Sequence, residues 1–475
     1  MYRTYPTVDF GAKIYRSRLQ LVIITFVYIL VNIYNYCYYL TPVWGYQGFP
    51  EVDVHRSLGP LISAIAICIT FSVIYPKTIS VYSRFVVWFL FYFVFVPSII
   101  IVSMQGYPKD GGYLLITCLT ISLFFISYIP ELCIKKGNAK NLNPLVKSIS
   151  TLNKHISKGS NTYIKVRYEF TIGAILMFIV LIVLLFLFYS KIITIVDIRD
   201  VYGQREIVSE FTPNRTLEAY ALQWLLRDIS PFMIAVGIMF KQRVFLMLGI
   251  VGMGIGFFIT GSKFIVFTIP LMYAVYFFVL NKEQVSAEDI VRLFCGTMII
   301  MLIIIGVYGE DVESLVGLVT SQIVKRAFSI NGMTLGNYYD FFINNSHPFT
   351  FYSHLGPVGW FIDYPYGEFS IGQVVGHYQA GVFTYDMSAG FWSTDGIAAA
   401  GYVGILFVGI ILGIILLIFN YWSRNSNLRL LCLSSLGCIW MLADTSLFRV
   451  LLSGGWPLHF LLVYFYLRSL RLKIT

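Results

Sequence analysis

Runs of about 20 apolar residues recur along this 475-residue chain, and a helix of that length crosses the hydrocarbon core of a bilayer. Inside lipid every backbone N–H and C=O must be satisfied within the protein, which leaves only helices and closed barrels. The runs lack the apolar–polar alternation of barrel strands, so they are read as helices. Twelve spans are expected, near 19–40, 57–75, 82–105, 112–129, 169–189, 219–240, 244–260, 264–281, 292–308, 396–420, 429–443 and 449–467. Composition agrees: 57% of residues are hydrophobic and only 12% charged, about half the charge of a soluble domain. A soluble enzyme, a disordered chain and a disulfide-built secreted domain are excluded. The seven cysteines lie in or beside apolar runs, without a CxxC or CxxH spacing, and read as small core residues. The first run is long and lacks an A-x-A cleavage pattern, so a retained span is expected, not a removed signal peptide. No internal repeat of solenoid or propeller length is visible.

Net charge is +10. In a soluble protein that would suggest nucleic acid; in a membrane chain it reflects topology, because inner loops collect Lys and Arg. With the N-terminus inside, the inner segments hold 23 of the 34 basic residues, eight of them in a basic loop at 130–168 suited to anionic lipid. The long 309–395 segment then lies outside and holds only Lys325 and Arg326 against eight acidic residues. The expected organisation is nine spans in 1–308, a large outer loop at 309–395 and three spans in 396–475. Both termini are placed in the cytoplasm. Membrane lipid is the expected surrounding and no nucleic-acid partner is expected.

The outer loop opens with apolar residues at helical spacing, Leu315, Leu318, Val319, Gln322 and Ile323. A helix lying on the membrane surface is predicted, with Arg326 on one edge. Farther on, aromatics such as Trp360, Tyr364, Tyr366 and Tyr378 suit either an interfacial belt or the stacking of sugar rings. Cations inside spans or on the outer side carry the most information, because a charge at the bilayer centre costs about 2.5–3.5 kcal/mol on insertion scales. Arg227 and Asp228 sit mid-run, Lys263 lies in the Thr260–Lys263 hairpin, and Arg449 follows Asp444 in a late turn. Each can be structural or snorkelling. Together Arg227, Lys263, Arg326 and Arg449 suggest a site for a lipid-linked phosphate or pyrophosphate, whose oxygens guanidinium forks grip. For proton transfer the loop offers His347, His354, Asp363, Glu368, His377, Asp386 and Asp395. The stretch from His354 to Glu368 is dense in turns and polar tips, which puts His354, Asp363 and Glu368 first. No P-loop, Rossmann, HExxH or GxSxG pattern is present, so no nucleotide, cofactor or metal is expected.

The plan resembles the Wzy-type O-antigen polymerases. The matching stretches are Leu226–Met233, Thr260-Gly-Ser-Lys263, Lys325-Arg326, the small-residue lead-in Trp392–Gly404 and the late Arg449. The likeness covers roughly 200–470. Where the family's hairpin usually carries Arg, this chain has Lys263, which keeps charge and loses the bidentate fork. The resemblance implies an all-α polytopic, GT-C-like glycosyltransferase of the bacterial plasma membrane. It would transfer a growing glycan from undecaprenyl pyrophosphate to a sugar hydroxyl of the next lipid-linked repeat unit. A flippase and a chain-length regulator would be its neighbours. An O-antigen ligase shares the plan. A lipid-linked oligosaccharide flippase is the alternative of another class, though its usual short loops and repeated halves are not seen here.

Overall fold

The protein, as a computed structural model, is described over residues 10–106, 112–136, 164–166, 168–190, 217–261, 263–308, 314–355, 358–424 and 426–472. Most of the basic 130–168 loop lies outside them. The described residues are all-α apart from a short antiparallel pairing of Ile164–Val166 with Leu470–Leu472 and an isolated bridge between Thr78 and Ser286. Among the described residues nine helices are long and apolar enough to cross a membrane, which makes this a multi-pass chain. Two of the other expected spans contain shorter apolar helices, Phe267–Leu280 and Leu458–Arg468.

The late spans differ from the twelve-span expectation for a local reason. The run at 429–443 is split at Ser435 into Leu428–Ser434 and Leu436–Asp444. The run at 449–467 is split into Leu447–Leu451 and Leu458–Ser469. Between the latter pieces stand Gly454, Gly455 and Pro457; Gly455 takes a left-handed φ of 70° and Pro457 has no N–H to continue a helix. Hydropathy counts such residues as tolerable, while backbone geometry does not.

The contacts divide the chain into two compact units. One comprises residues 1–80, 87–127 and 283–410. Its centre is Val96–Gln105, buried along its whole length and packed by Phe10–Asn35, Val54–Ile74 and Ile330–Tyr339. The last of these is a difference from the sequence reading, since it belongs to the expected outer loop. All ten of its residues are buried. Gly332 permits this: a Cβ there would stand 2.9 Å from the Ser98 Cα and 2.8 Å from the Ile101 Cβ. A helix is present before it, as Leu315–Ser321 and a wide π turn, Gln322–Ala327. Arg326 is exposed there, as expected, but Lys325 points inward, 8% exposed.

The other unit comprises residues 81–86, 128–282 and 411–475. Its tightest hairpin joins Glu218–Phe240 to Arg243–Thr260 through a left-handed Lys241. Gly249, Gly252 and Gly256 present bare backbone to Ile234, Ser230 and Leu226. Close approach of small residues replaces the hydrophobic effect, which lipid cannot supply between helices. Polar anchors tie helix ends together. Arg84 grips Glu131 with two hydrogen bonds of 2.7 and 2.8 Å, and the Asn420 amide joins the Ser83 N–H, the Ser83 hydroxyl and the Pro130 carbonyl.

The helix Trp392–Ser423 carries the sharpest bend. Ala400 (φ −158°, ψ 32°) and Gly401 (φ 60°, ψ −137°) are not helical, and the short first segment doubles back on the second. Gly396 and Gly404 therefore touch backbone to backbone; a Cβ on Gly404 would fall 2.0 Å from the Gly396 carbonyl oxygen. Replacing Gly404 by Val is expected to lower stability by about 1–3 kcal/mol or more through overpacking. Gly254→Ala, with nothing within 4 Å of its added Cβ, should be close to neutral. Melting of the two variants in detergent checks this: equal transition temperatures would refute the doubled-back geometry.

Candidate functional site

In the first unit the doubled-back segment and the long loop build one polar corner. The helical piece starting at Trp392 stops at the bend, which leaves its last carbonyls unpaired within the helix. The loop satisfies them: the Thr350 N–H donates to the Ala398 carbonyl and the Phe351 N–H to the Ala399 carbonyl, both at 2.9 Å. Making both bonds holds Phe351 and Tyr352 at φ 46° and 63°, a left-handed conformation that costs bulky residues about 1–3 kcal/mol each. The strained turn sets His354 beside Asp395. His354 Nε2 stands 3.8 Å from Asp395 Oδ1, with the side chains 20% and 7% exposed. On the other ring nitrogen, Nδ1 faces the Thr350 hydroxyl at 3.4 Å. A half-buried imidazole oriented by a carboxylate is a fit arrangement for taking a proton from a hydroxyl.

An aromatic face adjoins the same loop. His347 stacks on Phe341 at 3.9 Å, and Tyr366 and Tyr378 pack around Phe341. Tyr378 donates to Asp340 Oδ2 at 2.9 Å and accepts from the Asn345 amide at 2.9 Å. Rings beside exposed amide and carboxylate groups suit a sugar, which offers flat C–H faces and hydroxyls together. Burial pushes the phenols of Tyr352, Tyr364 and Tyr366 up, Tyr364 to about 12; they remain hydrogen-bond donors through neutral pH. Nearby, Lys325 caps the Trp44 ring at 3.5 Å and donates to Gln47, a cation–π contact that keeps a buried ammonium satisfied. Arg326, one residue on, acts electrostatically on Tyr385.

In the second unit a proline builds the corresponding feature. Pro231 has no N–H for the Arg227 carbonyl, and the helix widens into a π turn at Leu225–Ile229. Gly437 packs against the released carbonyl, with an ideal Cβ 3.0 Å from it. The turn carries Arg227 and Asp228. Asp228 is fully buried and meets His459 Nε2 at 3.0 Å through Oδ1. Cys438 Sγ lies 3.7 Å from the same Oδ1 and 3.6 Å from His459 Nε2. These three form the group able to hold a metal ion among the described residues. Arg227 feels Asp444, Arg449 and Asp228 electrostatically.

The sequence-predicted residues thus fall out unevenly. Arg227 and Arg449 share one unit and one electrostatic neighbourhood. Arg326 belongs to the other unit, and the Lys263 side chain lies outside the described residues. His354 gains Asp395 as its partner. Asp363 and Glu368 are exposed, and neither makes a hydrogen bond or ion pair among the described residues. By sequence Asp395 is only one of several loop acids. Cys438 reads there as a core residue, and sequence reasoning misses its pairing with His459. The one signal is a histidine inside an apolar run, with nothing polar beside it in sequence. No family model, curated protein or solved structure matches the chain.

The raised tyrosines give a pH test. A phenol whose folded pKa lies above its ordinary value contributes stability that is present below about pH 10 and lost as pH climbs through the folded pKa. For Tyr364 that window runs from 10.0 to about 12. Absorbance titration of tyrosinate is expected to show a group of phenols ionising late, one of which disappears in Tyr364→Phe. A single transition at the ordinary value would contradict the burial.

Proposed function

We propose that the protein is a polymerase of lipid-linked oligosaccharide repeat units, working at the outer face of a bacterial plasma membrane. It takes a growing glycan from undecaprenyl pyrophosphate and transfers it to a sugar hydroxyl of the next lipid-linked unit. The observation that carries this reading is that Arg227 and Arg449, together with Asp444, share one electrostatic neighbourhood inside a multi-pass chain. A leaving diphosphate gains negative charge in the transition state, and fixed cations beside low-dielectric lipid stabilise that charge. The family resemblance also assigns Lys263 and, in the other unit, Arg326 to the transfer. His354, held by Asp395, is the general base, and the face around Phe341 and Tyr378 holds the sugars. Asp363 and Glu368 recede to supporting roles. The architecture is GT-C-like, and a flippase and a chain-length regulator are its functional neighbours.

A second reading is the O-antigen ligase, which moves a finished glycan to the lipid A core. The His354–Asp395 pair favours it equally, because either acceptor hydroxyl needs a base.

Arg449→Ala tests the main reading; the side chain is exposed, so loss of the protein itself is not expected. The surface glycan ladder should collapse to single repeats while the protein accumulates, with transfer slowed about 10²-fold or more. Arg326→Ala and Lys263→Ala should do the same. Normal chain lengths in all three variants sink the assignment. Long glycans left on undecaprenyl pyrophosphate, with none on the lipid A core, would establish the ligase instead.

A further inference from the structure

We propose that Asp228, Cys438 and His459 form a structural zinc site in the interior of the second unit. The three residues are far apart in sequence and come from the π turn of Glu218–Phe240, from Leu436–Asp444 and from Leu458–Ser469. Their facing atoms are Sγ, Nε2 and Oδ1, separated by 3.6 Å (S to N), 3.7 Å (S to O) and 3.0 Å (N to O). A tetrahedral Zn²⁺ with bonds of about 2.3 Å to sulfur and about 2.0–2.1 Å to nitrogen and oxygen has ligand–ligand edges of about 3.3–3.6 Å. The observed triangle is within a few tenths of an ångström of one tetrahedral face.

The chemistry of the donors points the same way. Thiolate, imidazole and carboxylate together are borderline-soft, which suits zinc and not magnesium or calcium. One thiolate and one carboxylate neutralise the dication, so the occupied site carries no net charge into a low-dielectric interior. The place is sealed from solvent. Both Asp228 and His459 have no exposed side-chain surface; their other polar atoms, Asp228 Oδ2 and His459 Nδ1, are also buried, with no hydrogen-bond partner among the described residues. The thiol contacts the Gly454 carbonyl, His459 Nε2 and Asp228 Oδ1 at 3.3, 3.6 and 3.7 Å. The ion would clamp the broken C-terminal helices to the π turn. It thereby fixes the position of Arg227, whose neighbour is a ligand. The inference does not depend on the glycosyl-transfer reading.

The test uses the full chain purified in detergent without chelator, from cells grown with added Zn²⁺ or Co²⁺. Elemental analysis is expected to give one zinc per chain. The cobalt protein should show a thiolate-to-metal charge-transfer band in the near ultraviolet. Cys438→Ser and His459→Gln should abolish that band and weaken zinc retention against a chelator about tenfold or more. Cys37→Ser, a half-buried thiol in the other unit, should change neither. Because the wild-type measurements need no variant, misfolding of a variant cannot shield the proposal. Wild-type protein with zinc no higher than buffer and no cobalt–thiolate band overturns it, as does zinc retained undiminished by Cys438→Ser. Either result would leave a plain His459–Asp228 hydrogen bond.

Discussion

A polar group inside a bilayer-spanning protein has no water to fall back on, and the rest of this structure follows from that. Among the described residues, several helix breaks and ends are met by a specific partner. The carbonyls freed at the Ala400–Gly401 bend are taken by Thr350 and Phe351. The Tyr82 hydroxyl joins Ser435, at the break between two late helices, to the Trp456 indole. Asn420 closes the end of its helix onto Ser83 and Pro130. In water any of these bonds would contribute only about 0.5–1.5 kcal/mol. In lipid, leaving the group unmet costs more than that, so each bond decides where a helix is allowed to stop.

Among the described residues, three of the six π turns carry charged side chains, while Tyr36–Leu40, Phe91–Phe95 and Tyr276–Leu280 carry none. Arg227 and Asp228 ride on one π turn, Lys325 and Arg326 on another, and Asp340 opens a third. A π turn rotates the residues after it relative to the helix face before it. At Leu225–Ile229 the cause is visible, since Pro231 supplies no N–H to the preceding turn. Glycine has the complementary role. Gly249, Gly252 and Gly256 bring two helices close enough for backbone contact, which holds the π turn on a rigid support. The strained Phe351 and Tyr352 follow the same logic: their backbone cost is offset by the bonds that also place His354.

Much of the fold was legible in the chain. Runs of apolar residues located the nine long helices, because length against bilayer thickness needs no tertiary information. Hydropathy failed where it averages over residues that break helices, at Ser435 and at Gly454–Pro457. It also failed at Ile330–Tyr339, whose mixed small and polar residues gave no periodic face yet are buried throughout. At the candidate sites the residue types were visible but the pairings were not. His354 could be nominated from its loop; Asp395 as its partner depends on a chain reversal that no spacing encodes.

The sequence by itself determined that this chain spans a membrane as many helices, since only self-satisfied backbone survives in lipid and the apolar runs set where it must. The tertiary structure alone decided which polar side chains meet. Asp228, Cys438 and His459 come from three helices and converge only because a proline-widened turn, a broken helix and a Gly-Gly link bring them to one point. Local conformation is a short-range property of the residues. Convergence depends on packing distances and helix breaks distributed over the whole unit, which one-dimensional spacing does not contain.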